Sequence, residues 1–293
     1  MPDNGSYTTY YDIGGPHIVW NVVAAPEFDL QPKTWCFPVA GCVAYRGYFA
    51  QQHAKRYAEQ LAASGYDIYL GGVSAYSTLG RFKDPILSSM VGYSDDHFAA
   101  LLFHELAHQR LYIQDSTAFN EGFASVVEQI GLDRWRAARG EPPTAARIEL
   151  LAQRRAVMQL LDATRQRLGE VYDSDLSVAA KRRKKAAAIA AMREHYVHLI
   201  SDAGDAGKLA RPYEALIMGE FNNAALAAIG SYQDLVPAFR VLLSDCEAQL
   251  ACFFTRAEGL GEMASAQRER QLDRLLLRAS AGASLDPVAG QSP

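Results

Sequence analysis

The chain has 293 residues, 49% of them apolar and 21% charged, with a formal net charge of −4. That length suits one large globular domain or two small ones, and the mildly acidic balance argues against nucleic acid or an anionic membrane as the main partner. No run of 18 apolar residues occurs, so nothing reads as a bilayer-spanning helix.

Residues 1–16, with Asn4-Gly5, Gly14-Gly15 and Pro16, read as turns, and this opening has no signal-peptide pattern. Ile18 to Ala24 is a β-rich apolar run ended by Pro26, and Phe37 to Tyr45 is a second strand candidate weakened by its Pro and Gly. Residues 46–64 predict a helix stopped by Gly65. Tyr66 to Leu70 predicts a strand that runs into the glycine-bearing stretch Gly71 to Gly80. Pro85 to Tyr93 reads as a loop or short helix. Ser94, followed by Asp95 and Asp96, is a good N-cap for a helix to about Ile113. Asp115-Ser116-Thr117 then caps a helix to about Arg136, and Gly140, Pro142 and Pro143 break the chain. Helical patterns follow at 144–169, 175–202, 212–230, 234–257 and 261–280, before a tail from Ala281 expected to be disordered. The expected division is 1–140, an α/β part, then 141–280, a helical part closing a cleft, then 281–293.

The four cysteines form two pairs with one spacing, Cys36/Cys42 and Cys246/Cys252, and neither is CxxC. Pro38 and Gly41 could bend the first pair into a small disulfide loop, whereas an extended chain would hold its Cα atoms too far apart. Cys246 and Cys252, at i and i+6 of an expected helix, read as buried free thiols. Lys181-Arg182-Arg183-Lys184-Lys185 has no interleaved aromatics and reads as a solvated helix face rather than a nucleic-acid patch.

The strongest signal is His104-Glu105-Leu106-Ala107-His108, followed by Asn120-Glu121-Gly122-Phe123-Ala124. HExxH on a helix stacks two imidazoles on one face, where both can reach one Zn²⁺ at roughly 2.0–2.1 Å. Shuffling this composition yields such a match on the order of 0.01 times per chain. Helices at about 95–113 and 117–136, joined as a hairpin, bring Glu121 level with His108 and make it the third ligand candidate. Glu128, on the same face, competes for that place or holds a histidine's other nitrogen. Three ligands and one open position fit hydrolysis, with Glu105 as the base that moves the water's proton. The oxyanion needs a donor, and Tyr76, Tyr112, Tyr213 and Tyr232 are candidates, Tyr76 and Tyr232 foremost.

FHELAHQRLYIQDSTAFNEGFASVVEQIG resembles the putative aminopeptidase family of bacterial zinc metallopeptidases, whose motif is HELAHQ followed by a TAFNExFA segment. PKTWCFPVAGCVAYRGYF, YDIYLGGVSAYSTLGRFKDP and FNNAALAAIGSYQDLVPAF are similar to that family's other blocks. The resemblance implies His104, His108 and Glu121 as ligands of one zinc ion, Glu105 as catalytic base, and a gluzincin-like arrangement with a shorter spacer. The fold it implies is α+β, mostly α, with a small N-terminal sheet packed on a zinc-binding helical hairpin and a helical bundle after it. It further implies a peptide or protein substrate laid along an edge strand at Gly71, Gly72 and Val73. Asn222 and Asn223 would point into the cleft or bond neighbouring backbone. Aminopeptidase action needs a group that grips the free α-amine, and Glu27, Glu214 and Glu220 are the candidates. Since family members begin upstream with a lipoprotein-type signal, a periplasmic form held to the membrane by a lipid anchor is expected. Rival readings are a zinc endopeptidase of the same mechanism and a non-catalytic zinc-bound scaffold or chaperone-like protein.

Overall fold

β2 (Val19–Pro26) is the strand around which the N-terminal half is built. The computed structural model describes residues 4–38, 41–92, 94–141, 145–202 and 211–283. β2 lies between β5 (Arg46–Tyr48) and β6 (Tyr66–Val73) in an antiparallel sheet of order β5-β2-β6. Successive side chains of a strand point to opposite faces. Val22 and Ala24 accordingly pack with Ala54 and Leu61 of α1 (Gln51–Ala63), while Val23 and Ala25 face Ala224 and Ala227. A strand covered on both faces needs a continuous apolar run, here Val22-Val23-Ala24-Ala25.

The predicted helix over 46–64 begins later than expected. Arg46, Gly47 and Tyr48 pair with Val22, Asn21 and Trp20, so sheet pairing wins over local helical pattern until Gln51. The second strand candidate is a hairpin, β3 (Trp35–Phe37) with β4 (Gly41–Val43), in which Cys36 lies opposite Cys42 and is disulfide-bonded to it. Residues 39 and 40 lie outside the described set. Two-residue β1 (Tyr10–Tyr11) pairs in parallel with β7 (Ile86–Leu87), and a short 3₁₀ turn follows over Ser88–Met90.

The helices are α2 (Asp95–Arg110), α3 (Thr117–Ala138), α4 (Ala145–Asp173), α5 (Val178–Asp202), α6 (Arg211–Met218), α7 (Asn223–Gln233), α8 (Val236–Ser244), α9 (Leu250–Glu262) and α10 (Ser265–Ala283). The fold is α+β and mostly helical, as expected, but the sheet does not lie on the α2–α3 hairpin. It is sandwiched between α1 and α7, and α7 and α8 in turn pack on α3.

Two expected long helices are each broken. That over 212–230 stops at Met218 and restarts at Asn223, because Asn222 caps the second segment by accepting the Ala225 N–H at 3.1 Å. That over 234–257 stops at Ser244, where Glu247 and Ala248 take φ of 49° and 57°. This turn brings Cys246 and Cys252 together as a disulfide, so the expectation of free thiols there was wrong: it assumed unbroken helix. The expected break at Pro142-Pro143 and the tail from 284 lie outside the described residues; 281–283 close α10.

The basic run on α5 does more than solvate a face. Lys181 donates to the Tyr172 carbonyl, Arg182 pairs with Glu27, and Lys185 reaches both Asp67 (2.5 Å) and the Glu27 carbonyl. Arg182 and Lys185 thus tie α5 to the end of the sheet, and Lys181 ties it to α4.

Candidate metal centre

Why α2 and α3 form a rigid hairpin is visible in their ends. Ser94 Oγ accepts the His97 N–H, and Asp95 and Asp96 sit in the first turn where the helix dipole favours negative charge. α2 ends at Arg110, and the connection to α3 is held by Asn120, whose amide bonds both the N–H and the C=O of Ile113 at 2.8 Å. The cap expected at Asp115-Ser116-Thr117 is different in detail: the Ser116 side chain makes no capping bond. Asp115, at φ 61°, turns away to accept the Cys42 N–H. At the other end Arg136 of α3 pairs with Asp96 of α2. Between them, a Cβ on Gly131 would come within 2.6 Å of the Phe103 ring, so glycine permits the close approach of the two helices.

That approach brings three donor atoms together. His104 Nε2 lies 3.2 Å from His108 Nε2 and 3.3 Å from Glu121 Oε2, and His108 Nε2 lies 3.7 Å from the same oxygen. Ligand atoms at roughly 2.0–2.1 Å around a tetrahedral ion are about 3.3–3.4 Å apart, and these separations straddle that value. The three residues form a group that could hold a metal ion, and their chemistry fits zinc.

Glu128 is placed on the opposite nitrogen. Its Oε2 lies 3.1 Å from His104 Nδ1, which makes it the carboxylate that sets that ring's tautomer and orientation rather than a third ligand. Burial disfavours charge on His104, but the hydrogen bonds and charges of Glu121 and Glu128 outweigh it and hold the imidazole up at about 10. Burial likewise works against the Glu121 carboxylate, yet the His108 charge and both imidazole bonds draw it down to about 2. Without metal the group therefore stores a proton that an incoming cation must displace.

Glu105 faces the same space from the next position on α2. Burial pushes its carboxyl up, and Glu121 and Asp84 add to this, while the two histidines oppose it. Asp84 is itself buried and held by the Thr78 N–H at 2.9 Å and by Gln109 at 3.3 Å.

His104, Glu105 and Glu128 line a cavity of about 510 Å³, whose opposite wall includes Gly71, Gly72 and Val73 of β6. β6 pairs only with β2, so its second edge is unpaired among the described residues. Both glycines also have packing reasons of their own. A Cβ on Gly72 would meet the His17 ring at 2.4 Å, and one on Gly71 the Tyr69 ring at 2.9 Å.

Other expected residues fall elsewhere. Asn222 caps α7 and donates to the Ile68 carbonyl at 2.9 Å, and Asn223 bonds the carbonyls of Pro26, Glu27 and Asp29. Both join α7 to the sheet instead of lining the cavity. Tyr76 packs beside Ala75, Leu87 and Met90, and the side chain of Tyr232 lies outside the described set. Glu27 pairs with Arg182, while Glu214 and Glu220 are exposed. None of these carboxylates lines the cavity.

One residue the sequence reading missed is Tyr45. It lines the cavity, and its phenol is pushed well above its ordinary range by burial and then by the charges of Glu121 and Glu105. Its only sequence signal was its place just after Cys42, whose hairpin Asp115 fastens to the α2–α3 turn.

A family model described as "Putative aminopeptidase" matches residues 1–272. No curated protein and no solved structure matches the chain.

Proposed function

The chain belongs to this putative aminopeptidase family, and from that premise we propose that it is a zinc-dependent peptidase acting on free amino termini. What carries the reading is the convergence of His104, His108 and Glu121 on one point, with Glu105 opening onto the same cavity. The arrangement is of the gluzincin kind, two histidines of an HExxH helix plus a glutamate from the next helix.

Zinc held by these three residues supplies Lewis acidity and lowers the pKa of water at the site. The chain's own groups then divide the work. Glu105 accepts the water's proton and returns it to the departing amine, and its burial suits a base that must also act as an acid. Tyr45, whose hydroxyl has no hydrogen-bond partner among the described residues, donates to the developing oxyanion. Glu128 keeps His104 in the tautomer that offers Nε2. The free edge of β6 takes the peptide backbone as an added strand. Glu128, which lines the cavity, is also the carboxylate that receives a substrate α-amine.

The experiment compares zinc-loaded protein with Glu105→Gln on amino-acid amides and on internally quenched peptides. Zinc content should be unchanged and turnover should fall by about 10²–10⁴-fold. Equal rates in the two proteins would remove the catalytic claim and leave a zinc-bound scaffold. Cleavage of blocked, internal bonds would favour the endopeptidase reading.

All four cysteines are paired, which supports an oxidising compartment such as the periplasm. No described helix is long and apolar enough to cross a membrane. Free thiols found by alkylating the native protein would contradict that placement.

A further inference from the structure

Among its described lining residues the cavity has one permanent charge to which hydrolysis assigns no task. Arg154, on α4, lines the same space as His104 and Glu105. Among the described residues its guanidinium has no hydrogen-bond or ion-pair partner. Other arginines of the α4–α5 hairpin behave differently: Arg165 of α4 pairs with Asp234, and Arg182 of α5 with Glu27.

Arg154 also does not stand alone. His97 of α2 and Tyr213 of α6 line the cavity with it, close enough for its charge to act on both. Burial holds His97 below its ordinary range, with Arg154 adding to this against the pull of Glu128. A neutral imidazole, a phenol and a guanidinium therefore line the space together, and all three can donate hydrogen bonds.

The carboxylates among the described lining residues are Glu105 and Glu128. The first faces the water to be activated, and the second is bonded to His104. Among the described residues nothing completes Arg154, which leaves its guanidinium open to a complement carried by the substrate. A planar guanidinium matches a carboxylate through two parallel N–H bonds. A peptide carries that group in two places, at its C-terminus and on Asp or Glu side chains. A cavity of about 510 Å³ is also of the size that encloses a small ligand.

We propose that Arg154 binds a carboxylate of the substrate, which makes the site selective for short peptides carrying that group close to the scissile bond. The proposal rests on the hydrolytic reading above, but it is tested separately from it. Zinc-loaded Glu105→Gln protein is titrated calorimetrically with Ala-Ala, Ala-Ala-amide, Ala-Glu-amide and Ala-Gln-amide. The same series is run with Arg154→Ala and Arg154→Lys added to that background.

If Arg154 reads a C-terminus, Ala-Ala binds about tenfold or more tighter than its amide. If it reads a side chain, Ala-Glu-amide exceeds Ala-Gln-amide by a similar factor. Either preference should vanish in Arg154→Ala and return in part with Arg154→Lys, while the neutral ligands change little. Arg154 is solvent-exposed, so both variants should keep the parent's melting temperature. A preference that survives Arg154→Ala, or none in the parent, overturns the proposal. Failure of wild-type protein to hydrolyse any peptide would instead count against the enzymatic reading, since the binding ratios do not depend on turnover.

Discussion

Two helical hairpins dominate the chain, and they are held together by opposite means. The α4–α5 pair is long and packs through a narrow apolar stripe: Val157, Leu161, Leu168 and Tyr172 on one helix meet Ala188, Met192 and Tyr196 on the other. These positions recur at four- and seven-residue steps, as the apolar stripe of an amphipathic helix requires. The shorter α2–α3 pair buries Glu105, His108, Asn120, Glu121 and Ser125 along with its apolar residues. Burying polar groups costs free energy unless they are bonded to something. In the first hairpin the seam is stability and little else. In the second, part of the seam is given over to chemistry, and the clamps at Asn120, Gly131 and Arg136 hold it in place.

Substitutions on the two seams should therefore separate folding from metal binding. Glu121→Ala removes a ligand, so it should abolish stoichiometric zinc and hydrolysis, measured by metal analysis and by peptide turnover. Leu161→Ala should cost about 2–5 kcal/mol in urea unfolding through the cavity it leaves, with zinc content intact in the folded protein. Zinc loss in the leucine variant, or zinc retention in the glutamate variant, would erase the distinction between the hairpins.

Two smaller effects sharpen it. Tyr45→Phe should lower kcat by about 10²–10³-fold with little change in KM, the signature of a donor that acts on the transition state. An unaltered kcat would return Tyr45 to a packing role. Glu128→Gln should weaken zinc by about 10–100-fold without abolishing it, because an amide still bonds His104 but orients it less firmly. Complete loss of zinc there would make Glu128 a ligand and displace Glu121.

How much of this was legible in the chain follows from the same contrast. Periodicity placed α4, α5 and α10 well, since a solvated helix on an apolar stripe writes its own pattern. HExxH and the downstream glutamate were legible too, because the ligand positions follow from helix geometry and a short connection. Tertiary pairing was not. Arg46-Gly47-Tyr48 looks helical locally and becomes strand only because β2 offers it an edge. Cys246 and Cys252 looked like two faces of one helix until positive φ at Glu247 and Ala248 folded the chain back. Tyr45 and Arg154 were invisible for the same reason: each comes to the cavity from an element far from the metal motif, and their neighbours exist only in three dimensions.

The central claim is that α2 and α3 are clamped so that His104, His108 and Glu121 share one zinc ion. Anomalous diffraction at the zinc absorption edge from zinc-loaded crystals tests it most directly. One strong peak is expected, within roughly 2.0–2.2 Å of His104 Nε2, His108 Nε2 and a Glu121 oxygen, with Glu128 still on His104 Nδ1. A peak coordinated by Glu128 in place of Glu121, or no peak between the two helices, would contradict it.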